Sequence, residues 1–202
     1  MQIQFFFGIG SRYSYLAATQ VPRLAAETGA RFVWRPLYSG ELIQRAGPDP
    51  FTAEHRRGQY DAAYRTEDAA RWARYYGVPY VEPPWADIDW KRLALAAVAA
   101  DGLGAGERYA TRLFDACFAD GRAPRTVRDL VDLAAAAGLP ADKFGAALES
   151  PDAEQRHRAN IDAALAAGAF GVPSFVLEDG QLFWGQDRLP LLRHELLEPG
   201  RS

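Results

Sequence analysis

The segment GIGSRYSYLA, residues 8–17, carries residue types that can do chemistry at a helix end. Ser11 and Ser14 lie where a predicted strand passes into a predicted helix. The first N–H groups of a helix have no partner within the helix, and the helix dipole is positive there, so an anion is favoured at this position. The hydroxyl of Ser11 can add a hydrogen bond to such an anion. The alternative is that Ser11 simply caps the helix.

Two segments near the C-terminus contain further candidate residues. In FGVPSF, a cis peptide between Val172 and Pro173 would leave the Val172 backbone extended and able to pair with a peptide-like ligand. The alternative is a plain turn into a strand. In WGQDRL, Asp187 can pair with the ammonium group of a bound ligand, or it can cap a helix.

The N-terminal pattern predicts a βαβ unit that positions the first of these segments. QIQFFF predicts a short buried strand, and a helix follows that is capped by Ser11, has apolar residues on one face and ends at Gly29. RFVWRPL predicts a second strand, which the connection through a helix makes parallel to the first.

The rest of the chain predicts a helical block followed by a hairpin and a helix. No strand pattern occurs from about Glu41 to Gly168, where Ala-rich helical segments alternate with Gly and Pro. SFVLE, a two-residue Asp179-Gly180 turn and QLFW then predict a hairpin, and a last helix begins near Asp187. This order predicts an α/β thioredoxin-like fold in which residues 1–40 and 169–202 are interrupted by a helical insertion, 41–168, all forming one structural unit.

A thioredoxin-like fold brings the Ser11 loop close to the Val172-Pro173 segment. Redox members of this class have a CxxC motif where the stretch Ser11 to Ser14 stands here, and Cys117 is the only cysteine. We expect Cys117 to be a buried structural thiol, which excludes disulfide exchange at the helix end. Any sulfur must therefore come from outside, and glutathione is the abundant cytosolic source. Ser11 is predicted to stabilise its thiolate.

Composition and charge limit the partners and the location of the protein. A net charge of -3 over 202 residues offers no basic field for nucleic acid. The start MQIQFFFGIG is too short for a signal-peptide core or a membrane span, so we expect no membrane association and a cytoplasmic location. His55, His157 and His194 are far apart in sequence, so we expect no metal site and place them on solvated helix faces.

Aromatic and cationic residues supply candidates for a substrate pocket. The aromatic candidates for its walls are Trp85, Trp184, Tyr75, Tyr76 and Tyr80. The candidates for binding a substrate carboxylate are Arg12, Arg35 and Arg45.

Five motifs in order along the chain resemble those of a known family. They are SRYSYLA at 11–17, GPDPF at 47–51, RWARYYGVP at 71–79, FGVPSF at 170–175 and WGQDRL at 184–189. Together they resemble the 2-hydroxychromene-2-carboxylate isomerase family, whose members are DsbA-like and related to kappa-class glutathione transferases.

The resemblance implies a function and a cofactor. It implies a homodimer with glutathione bound between the thioredoxin part and the helical part. Ser11 matches the catalytic serine, Val172 beside Pro173 matches the backbone that pairs with glutathione, and Asp187 with Arg188 matches the part that receives the γ-glutamyl end. The implied reaction is reversible addition of the glutathione thiolate to a small conjugated substrate, rotation of the former double bond and release of the isomer.

The chain departs from the family pattern near the implied site, which leaves alternatives open. The family usually has an aspartate near Gly8 and a proline where Arg12 stands. Arg12 and Trp85 are predicted to contact the substrate. The alternatives are a kappa-like glutathione transferase, which would consume glutathione, and a non-catalytic thioredoxin-fold module that binds peptides.

Overall fold

A four-stranded sheet forms the centre of the computed structural model, which describes residues 1–51 and 58–198. The strands are β1 (Gln2–Phe7), β2 (Arg31–Pro36), β3 (Ser174–Leu177) and β4 (Leu182–Trp184), in the order β2-β1-β3-β4. β1 and β2 are parallel, whereas β1 with β3 and β3 with β4 are antiparallel. The predicted βαβ and ββα units thus share one sheet, and the thioredoxin-like α/β fold is confirmed. The division into residues 1–40 with 169–202 and 41–168 stays a prediction.

The first helix, α1 (Arg12–Thr28), has the ends that the sequence predicts. Ser11 caps its start by accepting a hydrogen bond from the Ser14 N–H at 3.1 Å. Gly29 ends it in the left-handed conformation, at φ 69°, which glycine adopts at low cost because it has no Cβ. Local signals therefore determine both ends of the helix that carries the candidate site.

Helices fill the described part of the chain between β2 and β3. They are α2 (Ser39–Ala46), α3 (Ala62–Tyr76), α4 (Trp90–Gly102), α5 (Gly106–Phe114), α6 (Val127–Ala136), α7 (Ala141–Leu148) and α8 (Pro151–Ala166), with a short 3-10 turn at Gly58–Tyr60 and a π-helical turn at Asp115–Ala119. Over residues 37–51 and 58–173 this stretch contains no strand, as predicted. Within the described ranges, no helix has the length and apolar character needed to cross a bilayer.

The hairpin forms as predicted, but its turn is one residue longer. Leu177 N–H donates to the Gln181 carbonyl at 3.0 Å, and Gly180 N–H donates to the Leu177 carbonyl at 3.0 Å, so residues 178–180 form the loop. Gly180 has a φ of 87°, which is typical of the three-residue turn with a left-handed glycine. The prediction of a two-residue turn was wrong. An Asp-Gly pair is compatible with both turn lengths, and the register of the two strands decides which one forms.

The last helix, α9 (Leu189–Leu197), begins later than the predicted start near Asp187. A 3-10 turn, Gln186–Arg188, precedes it, and Arg188 occupies the N-cap position without a side-chain cap. Leu189 and Leu192 are buried, and α9 packs against α1. Asp187 is therefore not the cap of this helix.

The two faces of β1 pack into two apolar layers. Phe5 and Phe7 stack with each other and meet the edge of the Trp34 ring at 5.0 and 5.3 Å between ring centres. Phe6 points to the opposite face, where it packs with Leu37 and with residues of α8. This alternation places helices on both sides of the sheet.

His157 is buried, which corrects its predicted place on a solvated helix face. It lies on α8, and its Nε2 accepts a hydrogen bond from the Tyr38 N–H at 3.0 Å. Burial lowers the pKa of His157, so the neutral form is favoured. The polar residues around it in sequence gave no sign of burial, which comes from packing against the β2–α2 connection. His194 is exposed as predicted, and His55 lies outside the described residues.

Candidate functional site

The three candidate segments meet at one end of the sheet. Phe6 of β1 pairs with Ser174 of β3 in antiparallel register, so the loop after β1 and the segment before β3 leave the sheet side by side. Gly185 N–H donates to the Pro173 carbonyl at 2.9 Å, which brings the start of the Gln186–Arg188 turn to the same end. The turn also contacts α1.

Ser11 is half-buried and holds its loop through three hydrogen bonds. Its N–H donates to the Gly8 carbonyl at 3.0 Å, its carbonyl accepts from the Tyr15 N–H at 3.0 Å, and its Oγ accepts from the Ser14 N–H at 3.1 Å. A hydroxyl has two acceptor lone pairs and one proton, so the cap uses only one lone pair. Within the described chain the Ser11 hydroxyl proton has no acceptor, and the N-cap role is compatible with donation to a ligand.

Two backbone donors accompany the hydroxyl at the start of α1. The N–H groups of Arg12 and Tyr13 find no acceptor among the loop and turn hydrogen bonds of the described residues. The first turn of this 17-residue helix contains no acidic side chain. The helix dipole and these free donors therefore favour an anion at this end.

The Arg12 side chain is buried and connects the start of α1 to the inserted helices. Its Nη1 donates to Thr66 Oγ1 at 3.1 Å, its Nη2 pairs with Glu82 Oε1 at 2.6 Å, and its guanidinium lies 5.0 Å from the centre of the Trp85 ring. Its Nε is buried without a hydrogen-bond partner among the described residues. The structure thus brings Arg12 and Trp85 together, while their contact with a substrate stays a prediction.

Glu82 is the centre of a polar cluster that the sequence did not reveal. Besides Arg12, it accepts hydrogen bonds from Trp85 Nε1 at 2.6 Å and from the Tyr80 hydroxyl. Burial and the hydrogen bond to Glu82 raise the pKa of Tyr80. Nothing in the local sequence VEPPW distinguishes Glu82 from a solvated acid, because its partners come from distant parts of the chain.

The loop before α1 is closely packed by neighbours at two glycines. A Cβ on Gly10 would lie 3.0 Å from the Trp90 ring, and a Cβ on Gly8 would lie 3.1 Å from Ser39 Cβ. The ring of Trp90 is in turn 5.0 Å from that of Trp85. The family usually has an aspartate near Gly8, and in this chain Ser39 occupies the space that a larger side chain at Gly8 would need.

The peptide bond between Val172 and Pro173 is cis, which is one of the two alternatives that the sequence left open. Val172 is half-buried, and neither polar group of its backbone enters the loop and turn hydrogen bonds of the described residues. The Ser174 hydroxyl donates to the Gly171 carbonyl at 2.8 Å, which fixes the segment from within. A backbone segment that is unpaired among these hydrogen bonds thus leaves the sheet at the same end as the loop before α1.

Asp187 and Arg188 are exposed and pair with each other at 2.9 Å. Their turn is fixed by the buried Gln186, whose Oε1 accepts from the Tyr76 hydroxyl at 2.5 Å. Burial raises the pKa of Tyr76, so it remains a hydrogen-bond donor. The two charged side chains are accessible to a ligand at the same end of the sheet as Ser11.

The predicted aromatic residues do not form one wall. Trp85 and Tyr80 both donate hydrogen bonds to Glu82. The Trp184 ring instead packs against that of Phe170, with 4.9 Å between ring centres, and Trp184 and Phe170 are exposed. Tyr75 is 77% exposed. The aromatic surroundings of the α1 start therefore come from the inserted segment rather than from the hairpin.

Two residues of α3 face the start of α1 and were missed by sequence reasoning. The Tyr13 hydroxyl donates to Asp68 at 3.0 Å, and the Arg65 guanidinium lies 5.7 Å from the centre of the Tyr13 ring. Burial and the charge of Asp68 raise the pKa of Tyr13 to about 12. Only the packing of α3 on α1 brings these residues together.

Cys117 contributes no reactive thiol. It is fully buried in the π-helical turn, and burial raises its pKa to about 12. The predicted buried structural thiol is confirmed, and the thiol of any sulfur chemistry at Ser11 has to come from a ligand.

Comparisons with known proteins agree with this geometry. A model of the DSBA-like thioredoxin domain matches residues 2–197. A 2-hydroxychromene-2-carboxylate isomerase from Sphingobium xenophagum is 32% identical over 197 residues, which cover 97% of this chain and 98% of that protein. A solved 2-hydroxychromene-2-carboxylate isomerase has a TM-score of 0.81 at 25% identity, over 97% of this chain and 94% of that one. The cytosolic disulfide reductase DsbM from Pseudomonas aeruginosa, solved with GSH, has a TM-score of 0.66 at 21% identity, over 97% and 99%, and shares the fold.

Proposed function

The chain belongs to the DSBA-like thioredoxin family and, within it, to the 2-hydroxychromene-2-carboxylate isomerases, and from this premise we propose that it is a glutathione-dependent isomerase of a small conjugated or aromatic carboxylate. The observation that carries the proposal is the start of α1. There a serine hydroxyl and two backbone N–H groups have no acceptor among the described residues. A thiolate fits this set of donors, and two of the similar proteins named above are 2-hydroxychromene-2-carboxylate isomerases.

The residues at this end of the sheet fit the parts of glutathione. The hydroxyl of Ser11 suits the sulfur, the unpaired backbone of Val172 beside Pro173 suits the cysteinyl peptide, and the exposed pair Asp187 and Arg188 suits the charged γ-glutamyl end. When bound, glutathione would supply a thiolate that adds to a conjugated double bond, allows rotation about the resulting single bond and is then eliminated, which restores the double bond and returns the cofactor.

In the proposed site the Ser11 hydroxyl donates a hydrogen bond to the glutathione sulfur, which favours the thiolate form. A free thiol has a pKa of about 8.5, and lowering it to about 6.5 corresponds to about 2.7 kcal/mol. A charge-assisted hydrogen bond of about 1.5–3 kcal/mol together with a helix end of about 0.3–1 kcal/mol can supply this. Ser11 thus stabilises a nucleophile and does not itself attack.

Arg12 and Trp85 complete the proposed site from the side of the inserted helices. The 5.0 Å contact between the guanidinium and the indole, with Glu82 behind them, gives a rigid wall beside the first turn of α1. The proposal includes a homodimer in the cytoplasm, where glutathione is abundant.

The proposal is tested by titrating reduced glutathione into the protein calorimetrically and by following isomerisation of 2-hydroxychromene-2-carboxylate. Ser11→Ala is expected to lower kcat about 100-fold, because the hydroxyl serves the reacting sulfur, and to change glutathione affinity less than about threefold at about pH 6, where the bound thiol is still mostly protonated. Asp187→Ala is expected to weaken glutathione binding. Ser150→Ala, which removes the equivalent cap of α8, is the matched control and should leave both unchanged.

Three outcomes would contradict the proposal. Absence of glutathione binding at millimolar concentration would exclude this cofactor. Consumption of one glutathione per turnover would favour the kappa-like transferase. Absence of isomerase turnover, together with a biological activity that Ser11→Ala leaves intact, would favour the non-catalytic peptide-binding module.

A further inference from the structure

Arg65 is a half-buried cation on α3 with aromatic rings next to it. Its guanidinium carbon lies 4.6 Å from the centre of the Phe51 ring and 5.7 Å from that of the Tyr13 ring. Tyr13 is the second residue of α1, so Arg65 stands beside the first turn, where Ser11 caps the helix. The Phe51 and Tyr13 rings therefore make the surroundings of the Arg65 guanidinium apolar and partly desolvated.

No carboxylate of the described residues lies within 4.0 Å of Arg65, in contrast to the other arginines near it. Arg12 pairs with Glu82 at 2.6 Å, and Arg71, further along α3, pairs with Glu67. Burial lowers the pKa of Arg65, and the charge of Arg12 lowers it further. A partly buried guanidinium without a carboxylate is costly, and an anionic ligand relieves that cost.

The acids in this neighbourhood are engaged by other groups. Glu82 accepts from Arg12, Trp85 and Tyr80, and Asp68 accepts from the Tyr13 hydroxyl. Arg65 donates one hydrogen bond to the Tyr13 hydroxyl. Its other donors have no carboxylate partner among the described residues, so they remain for a carboxylate brought by a ligand. Guanidinium binds carboxylate in a bidentate geometry that ammonium cannot reproduce.

The arginines that the sequence suggested for a substrate carboxylate are less suited to it. Arg12 is buried and bound to Glu82, Arg35 donates to Gln4 on the sheet at 2.7 Å, and Arg45 pairs with Asp162 at 2.7 Å. Arg65 combines proximity to the α1 start, partial burial and a guanidinium that has no carboxylate partner among the described residues.

We propose that Arg65 binds the carboxylate of a conjugated aromatic substrate and determines its preference for acids over neutral analogues. This inference rests on the proposed function for the identity of the substrate, and Phe51 and Tyr13 provide the apolar contacts for the conjugated part. Arg65 is a substrate-binding residue beside the glutathione sulfur, and it takes no part in binding glutathione.

The test compares two probes, cinnamate and cinnamamide, which share a conjugated aromatic frame and differ in charge. Their binding is measured by calorimetric titration, with and without reduced glutathione, in wild type, Arg65→Gln, Arg65→Lys and Arg71→Gln. We expect wild type and Arg71→Gln to bind cinnamate at least about 10-fold more tightly than cinnamamide, and Arg65→Gln to lose this difference. Arg65→Lys should keep part of it. Thermal unfolding checks that each variant is folded.

The kinetic counterpart uses the proposed substrate. Arg65→Gln should raise KM by about 10- to 100-fold with a smaller change in kcat and an unaltered glutathione affinity. A preference for cinnamate that persists in Arg65→Gln, or failure of wild type to prefer cinnamate, overturns the inference. If wild type binds no glutathione but still prefers cinnamate through Arg65, the proposed cofactor is wrong and the carboxylate site stands.

Discussion

The starts of α1 and α8 are both capped by a serine but have opposite surroundings. Ser11 accepts a hydrogen bond from the Ser14 N–H at 3.1 Å, and Ser150 accepts one from the Asp152 N–H at 3.0 Å. The helices have 17 and 16 residues, so their dipoles are similar. The first turn of α8 contains a proline and two acids, whereas the first turn of α1 has no acid and has Arg12.

A serine cap alone does not make a helix start into a binding site. At α8, Pro151 has no N–H to offer, and the carboxylates of Asp152 and Glu154 already complement the positive end of the dipole. At α1, two N–H groups have no acceptor among the described residues, and the buried Arg12 adds a positive charge. The carboxylate beside them, Glu82, is already bound to Arg12, so the positive end of the helix dipole is not compensated. A ligand anion is therefore favoured at α1 and redundant at α8.

Removing the charge of Glu82, the carboxylate beside the start of α1, is expected to change the free energy of unfolding more than any other variant in this comparison. Glu82→Gln leaves the buried Arg12 guanidinium without its carboxylate, and we expect a loss of about 3 kcal/mol in the free energy of unfolding. Urea denaturation monitored by tryptophan fluorescence measures this loss. The matched control is Glu67→Gln, which breaks the exposed pair with Arg71 on α3 and should cost less than about 0.5 kcal/mol. Equal losses in the two variants would show that Arg12 is not held by Glu82.

The framework around this comparison follows from local sequence patterns. QIQFFF predicted β1, and Ser11 with Gly29 predicted both ends of α1, because caps and apolar periodicity act within a few residues. The hairpin was predicted with a turn one residue too short. Its register depends on strand pairing, which residues around Gly180 do not encode alone.

A smaller effect is expected from removing the caps themselves. Ser11→Ala and Ser150→Ala should each lower the free energy of unfolding by about 1 kcal/mol, since each removes one hydrogen bond to an N–H of the first turn. Thermal and urea unfolding of the two variants give the comparison. A loss in Ser11→Ala well above that in Ser150→Ala would mean that the Ser11 hydroxyl donates to the protein and is not free for a ligand.

The contacts that distinguish the two helix ends were not predictable from the sequence. No local pattern in the sequence indicated that α3 and the loop at Glu82 would bury the Arg12 side chain. Arg65 and its ring neighbours Tyr13 and Phe51 come from three separate parts of the chain. His157 looked solvated because its sequence neighbours are polar, and the Tyr38 N–H covers it only in the folded chain. Such contacts depend on how the inserted helices dock, which periodicity does not specify.

The smallest effect is expected at the acidic end of α8. Asp152→Asn removes a carboxylate that complements the dipole and pairs with Arg156 Nε at 2.6 Å on the surface, and we expect a loss of about 0.5 kcal/mol that shrinks at high salt. Urea unfolding at low and high salt measures it. The double variant Asp152→Asn, Glu154→Gln should still bind one glutathione per chain in calorimetric titration, because Pro151 still offers no N–H at the first position of α8. A second glutathione in this variant would show that the carboxylates alone keep α8 from binding an anion, and that the N–H groups of any uncompensated helix end suffice for a site.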